Sequence, residues 1–408
     1  MTPPDVSAGM PAADSSPQSK PVSLVLLPIM AAVLAGFLII GIALPVLPLH
    51  VEGGLGYGPF MVGLVAGAQF AASLISRIWA GSFADRKGAK RAVVIGLLSA
   101  SLAGLLYLVS LAAPSSALSV AILLAGRAIL GGAESFIITG AVSWGLALVD
   151  AGQAGKVIAW IGMAMFAALA LGGPIGTVLY DAGGFLSISL ATLALPLIVL
   201  ALIWRVSSVA TLPKTSKSAL RAVAGAVWLP GLGAACSSIG YGAILAFSSL
   251  YYSRQNWHPI WLAFSAFGAA LILARVFLAH LPDRHGGART ALIFVLIQAT
   301  GLALMWIAQD RLFATLGAAL AGLGYSLVYP GLGVEAVRGV APENRGLAMG
   351  LYTACLDLAM GFGSPALGWI AGHAGVAAVF AVSALVVLAA DVIAFRLWRR
   401  APTSAAVS

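Results

Sequence analysis

Long apolar runs alternate with short polar breaks along almost the whole chain. The runs fall near Val22–Leu49, Pro59–Ala84, Ala92–Ala113, Ala117–Leu148, Val157–Tyr180, Phe185–Ile203, Ala222–Tyr252, Pro259–Leu281, Ala291–Ala308, Leu312–Val334, Gly346–Ile370 and Val376–Leu397. A helix rising about 1.5 Å per residue needs about 20 mostly apolar residues to cross a bilayer core, and the runs match that length. The pattern therefore predicts an all-α integral membrane protein with twelve transmembrane helices.

Composition agrees with this reading. Of 408 residues, 61% are hydrophobic and 9% charged, and the mean hydropathy is +1.02. No soluble core hides that much apolar surface. Residues 1–21, with Pro3, Pro4, Pro11 and Pro17 among serines and threonines, lack the basic start and apolar run of a signal peptide and read as a disordered cytoplasmic tail.

Charge sets the topology. If odd helices run outward, only Arg254 and Arg311 fall on the far side and only Arg77, Arg127 and Arg275 inside spans; the rest of the 22 Lys and Arg lie on the N-terminal side. Positive residues favour the cytoplasm, so both termini are expected there, in a bacterial inner membrane. The net charge of +9 then reflects topology and calls for no nucleic-acid partner. The polar stretch 206–221, with Ser207, Pro213, Lys214 and Lys217, reads as a cytoplasmic linker between an N-terminal half (22–205) and a C-terminal half (222–400), with a tail at 401–408.

The halves repeat each other. After helix two the chain reads Asp85-Arg86-Lys87-Gly88-Ala-Lys90-Arg91, and after helix eight Asp283-Arg284-His285-Gly286-Gly-Ala-Arg289. Eight residues before each Asp stands an intramembrane arginine, Arg77 and Arg275. Gly172-Gly173-Pro174-Ile-Gly176 in helix five echoes Gly363-Ser-Pro365 in helix eleven. Parallel repeats of this kind imply six-helix halves related by a pseudo-twofold axis along the membrane normal.

These loops, with Arg127-x-x-x-Gly131 in helix four and Gly172-Gly173-Pro174 in helix five, resemble the signature segments of the major facilitator superfamily from Val22 to about Arg400. Within it, Leu47-Pro-Leu-His50 and Gly132-Ala-Glu134-Ser135-Phe136 are similar to the bacterial YhhS/YfcJ-type inner-membrane transporters. The resemblance implies a pathway between the halves of a single chain, hence a monomer, with helix four lining the cavity. Exporters of the superfamily end their helix-five signature Gly-Pro-x-x-Gly-Gly, and this chain, with Gly176-Thr177-Val178, does not.

Candidate chemistry follows from polar groups where lipid forbids them. An Arg or Asp at a helix centre costs about 2.5–3.5 kcal/mol on insertion scales, so Arg127 and Glu134 must face protein or water. Seven residues apart, they share one face of helix four at about 10 Å separation. Burial and a neighbouring arginine act oppositely on a carboxyl's proton, which suits Glu134 to load on one side and unload on the other, with Arg127 tuning it. Asp357, deep in helix eleven, is a second proton site or the partner of an arginine across the half interface. Asp85, Arg86, Gly88 and Arg91, with Asp283, Arg284, Gly286 and Arg289, read as a conformational latch whose glycines permit tight turns. Gln69, Phe136, Trp144, Tyr241, Tyr325 and Tyr329 are candidate walls for a small organic solute, and Gly172, Gly173, Pro174 and Gly176 pack helix five.

Other classes recede. Cys236 and Cys355 are far apart and the five histidines lack ligand spacing, so neither metal nor cofactor is expected. There is no Gly-x-x-x-x-Gly-Lys-Ser/Thr phosphate cradle, and no clustered nucleophile and base of an enzyme. The residues point to a secondary transporter in which protons drive export of a small organic solute. The alternative is proton-coupled uptake of a sugar or carboxylate with Arg127 as the anion's partner; a channel or a non-transporting sensor suits the duplicated latch less well.

Overall fold

A computed structural model describes residues 22–149, 154–204, 206, 220–338, 340, 341 and 344–400. The tails and nearly all of the linker lie outside the described residues. Everything regular within them is helical: α1 (Val22–Ala43), α2 (Leu47–Leu49), a π-helical turn (His50–Gly54), α3 (Pro59–Lys87), α4 (Ala89–Leu111), α5 (Ser116–Leu148), α6 (Ala154–Ile203), α7 (Leu220–Arg254), α8 (Leu262–Leu278), α9 (Leu281–His285), α10 (Gly287–Ile307), α11 (Arg311–Val337), α12 (Arg345–Ala374) and α13 (Val376–Arg400).

Ten of these helices are long and apolar enough to span a membrane, and α8 is a shorter apolar one. At 50 residues α6 is far too long for one crossing; it turns at Gly183 and Gly184, where φ of +61° at Gly184 is open to glycine and costly for any other residue. It therefore supplies two spans, and the described chain crosses twelve times. Two helices break inside the expected spans. Pro45, which lacks the N–H a helix needs, ends α1 at Ala43 although the apolar span runs on to Gly54, and Pro282 at the start of α9 separates it from α8.

The repeat recurs in atomic detail. Gly88 (φ 102°, ψ 140°) separates α3 from α4, and Gly286 (φ 86°, ψ 145°) separates α9 from α10, the same left-handed turn in each half. A Cβ on Gly131 would fall on the Gln69 carbonyl, and one on Gly322 on the Phe267 carbonyl. Four residues on, Ser135 Oγ donates to the Ser73 carbonyl and Ser326 Oγ to the Leu271 carbonyl, both at 2.9 Å. The α3/α5 and α8/α11 crossings are thus one packing solution used twice, as a pseudo-twofold requires.

Each half packs mainly on itself, and the halves meet through α3 with α12, α6 with α8, and α2 with α7. Glycines make the α3–α12 contact possible: a Cβ at Gly63 would strike the Ser364 carbonyl, one at Gly67 the Gly361 carbonyl, and one at Gly368 the Pro59 carbonyl. Near that end Arg254 bridges to Glu52 at 2.5 Å across the halves. Toward the other end the helices part, for neither Gly81 nor Gly350 has an atom within 4 Å of where a Cβ would stand. Leu98, Leu102, Leu105 and Phe362 are exposed while Arg127, Gln69 and Gln298 are fully buried, the inversion that a lipid solvent imposes.

Candidate functional site

Three helices bring the central polar groups together. α3 and α5 run in parallel and touch at Gly131, so partners climb both in step. Arg127 Nε donates to the Val65 carbonyl at 3.2 Å, Gln69 Nε2 donates to Glu134 Oε2 at 2.7 Å, and the Ser73 and Ser135 hydroxyls lie 3.0 Å apart. One turn below, Arg77 reaches across to α12 and donates to Asp357 Oδ2 from Nε (2.9 Å) and Nη2 (2.5 Å). Asp357 and Arg77 both lie within electrostatic range of Glu134.

The shared face read for Arg127 and Glu134 places both against α3, yet no ion pair joins them among the described residues. Arg127 is fully buried, with the Tyr107 hydroxyl of α4 as the side-chain group its guanidinium faces. Glu134 is half-buried, with a neutral amide as its only hydrogen-bond partner among the described residues. Of the two acids, then, Asp357 is fixed by an arginine and Glu134 is not.

The second half contributes aromatics and one cation. Tyr241 of α7 stacks on Tyr325 of α11 at 4.6 Å between ring centroids, and the Tyr325 hydroxyl is 3.3 Å from that of Ser238. Tyr329 OH is 3.2 Å from Thr353 Oγ1, and Tyr352 OH donates to the Tyr329 carbonyl at 2.7 Å. Arg275 Cζ lies 4.0 Å from the ring centroid of Phe166 on α6. Phe166 and Asp357 are separated by the same interval as Pro174 and Pro365, so the repeat faces its two arginines with a carboxylate in one interface and a ring in the other.

Other expected site residues lie elsewhere. Trp144 is fully buried, with Lys90 Nζ 6.0 Å from its ring centroid on the α4 side of the bundle, and Phe136 meets Phe83 of α3 at 5.7 Å. Gly172 and Gly176 take the backbone of Gly41 and Ile42 in α1, and Gly173 takes Phe264 of α8. Of the latch residues, Asp85 and Arg86 lie in the last turn of α3, Arg91 in the first turn of α4, Asp283 and Arg284 in α9 and Arg289 in the first turn of α10; Asp85, Arg86, Arg91, Arg284 and Arg289 are exposed. Sequence reasoning missed Glu335, whose Oε1 accepts from the Ala288 N–H at the start of α10 and whose Oε2 pairs with Arg338 at 2.8 Å, tying the second loop to α11. It also missed Arg77 and Arg275 as site residues, although their recurrence at one register was the available signal.

Among known proteins, the sequence profile of the Major Facilitator Superfamily matches residues 29–264 and 232–408. The chain belongs to the major facilitator superfamily. Relatives include an uncharacterised MFS-type transporter of Salmonella typhimurium, 40% identical over 379 residues that cover 93% of this chain and 97% of the relative. The uncharacterised MFS-type transporter YhhS of Escherichia coli is 37% identical over 372 residues, covering 90% of this chain and 91% of the relative. A D-xylose–proton symporter shares the fold, with a TM-score of 0.76 at 14% identity over 92% of this chain and 97% of that one. Major facilitator proteins are secondary transporters of small molecules, and this chain is a multi-pass membrane member of that superfamily.

Proposed function

We propose that the chain couples proton movement to the passage of a small organic solute, by alternating access between residues 22–205 and 222–400 about the 206–221 linker. It sits in the bacterial inner membrane with both termini cytoplasmic. In that orientation the Glu52–Arg254 end faces outward, and its bridged, close-packed helices support an inward-facing reading. The chain acts as a monomer, because its own two halves already supply the polar groups the cycle needs.

The observation that carries the reading is Glu134, a half-buried intramembrane carboxyl facing Gln69 and no bonded cation. Gln69 serves either protonation state. Its amide N–H donates to the carboxylate, and its Oε1, without another partner among the described residues, accepts from the acid after the amide turns over. Asp357, held by Arg77 across the halves, links that charge to the interface that must slide, and the duplicated loops at Gly88 and Gly286 act as the latch between states.

Direction depends on whether solute and proton bind together, giving uptake, or displace each other, giving export. The sequence reading is export. The positive charge at Arg275, which has no acidic partner among the described residues, favours uptake of a carboxylate, with Arg275 in the part first read for Arg127. The test is luminal pH in proteoliposomes while sugars, amino acids and organic acids are added singly. Solute-dependent proton movement should occur in the wild type and vanish in Glu134→Gln with solute binding retained; unaltered movement in that variant sinks the assignment of Glu134.

A further inference from the structure

The bridge that closes the outer end springs from a turn with few constraints of its own. Glu52 lies in the π-helical turn His50–Gly54, which the Leu55 N–H closes on the His50 carbonyl at 3.0 Å. Turns of this kind are rare, and Gly53 and Gly54 leave the backbone free. Past Glu52 the chain is open, for a Cβ at Gly53, Gly56 or Gly58 would meet no atom within 4 Å. Yet Glu52 meets Arg254 of the other half at 2.5 Å, with side-chain exposures of 29% and 41%. An exposed pair must offset the freedom its side chains lose, so it contributes most when the backbone beneath it is already placed.

The other side of the turn does that placing. His50, two residues from Glu52 and so on the opposite side, lies face to face on Phe185 of α6, with 4.0 Å between ring centroids and an interplanar angle of 4°. Both rings are buried. His50 Nε2 is shielded from solvent without a hydrogen-bond partner among the described residues, so the contact is one of ring faces. Gly54 crowds the opposite edge of the imidazole, where a Cβ would stand 3.0 Å from Nδ1. Phe185 is itself firmly seated: it follows the Gly183–Gly184 turn and packs at 5.7 Å on Tyr107 of α4, a fully buried ring whose hydroxyl faces Arg127. We propose that His50 is the positioning residue of the outer closure, its stack on Phe185 fixing the π-helical turn to the first half so that Glu52 meets Arg254 of the second with little left to order. The inference rests on the alternating-access reading above, and on neither its proton nor its solute. The turn moves with the first half and parts from α7 when the outer end opens.

The reporter is a cysteine at Leu245, which lines a small cavity between the halves, in the full chain with Cys236 and Cys355 replaced. Its rate of reaction with an impermeant maleimide applied to intact cells reads outer opening. Arg254→Ala should raise the rate by up to about fivefold, and His50→Ala by a large part of that. Phe185→Leu, which takes away the other ring face, should match His50→Ala. His50→Phe keeps a ring on Phe185 and should stay near the starting rate. Added to Arg254→Ala, His50→Ala should raise the rate no further, because an anchor for Glu52 has nothing to act on once the partner of Glu52 is gone.

An unchanged rate in His50→Ala overturns the anchor, as does a His50→Phe rate as high as that of His50→Ala. So does a double variant whose rate is the product of the two separate increases, since stack and bridge would then act apart. If thermal unfolding in detergent shows that His50→Ala does not fold, Phe185→Leu takes its place in the comparison with Arg254→Ala. If Arg254→Ala leaves the rate unchanged, the bridge closes nothing and the anchor falls with it, whatever luminal pH shows for Glu134.

Discussion

At the scale of residues, the two intramembrane acids differ in what holds them. Asp357 is tied by two hydrogen bonds to Arg77, with side-chain exposures of 8% and 20%, so removing one partner strands a largely buried charge. Breaking such a pair costs about 3–5 kcal/mol, whereas replacing both members by apolar residues of similar volume is close to neutral. Asp357→Ala should lower stability by about 3 kcal/mol, and adding Arg77→Met should recover most of it; thermal unfolding in detergent reads both. Equal loss in the single and double variants would mean the pair matters for packing alone. The sequence marks both residues as misplaced in lipid but cannot pair them, because Arg77 and Asp357 sit in different halves and meet only when α3 crosses α12.

At the scale of helices, small residues decide which faces touch. Of 48 glycines in the chain, some stand where a Cβ would strike another helix's backbone and others face open space, and nothing in their spacing separates the two. Gly131 and Gly322 are fixed by the carbonyls of Gln69 and Phe267, on which a Cβ would fall, while at Gly350 a Cβ meets open space. Gly131→Val and Gly322→Val should each cost about 1–3 kcal/mol by forcing the crossing apart. Gly350→Ala, in the second turn of α12, should be neutral or stabilise by up to about 1 kcal/mol. Thermal unfolding of the three variants checks the set, and equal effects in all three would contradict the shared crossing.

At the scale of the whole molecule, the halves are closed at one end by α2, α7 and the Glu52–Arg254 bridge. The bridge's side chains are 29% and 41% exposed, and exposed pairs contribute about 0–1 kcal/mol, so it biases the equilibrium and does not lock it. Arg254→Glu should raise the outward-open population by up to about fivefold. A cysteine at Leu245, in a background with Cys236 and Cys355 replaced, should then react correspondingly faster with an impermeant maleimide. The charge-swapped pair Glu52→Arg with Arg254→Glu should return the rate to the starting value.

Hydropathy and repetition alone determined the membrane class, the twelve spans and the two halves, because lipid imposes length and polarity on each span independently of its neighbours. They also singled out Glu134, Arg127 and Asp357, since an ionisable group in a span is visible without knowing what it touches. Tertiary structure decided the rest. It gave Asp357 to Arg77, left Glu134 to Gln69, turned Trp144 toward Lys90 and set Arg275 on Phe166. Each of these depends on which faces of helices distant in sequence come together, and that is fixed by close backbone approach at positions such as Gly131 and Gly67, which no single span records.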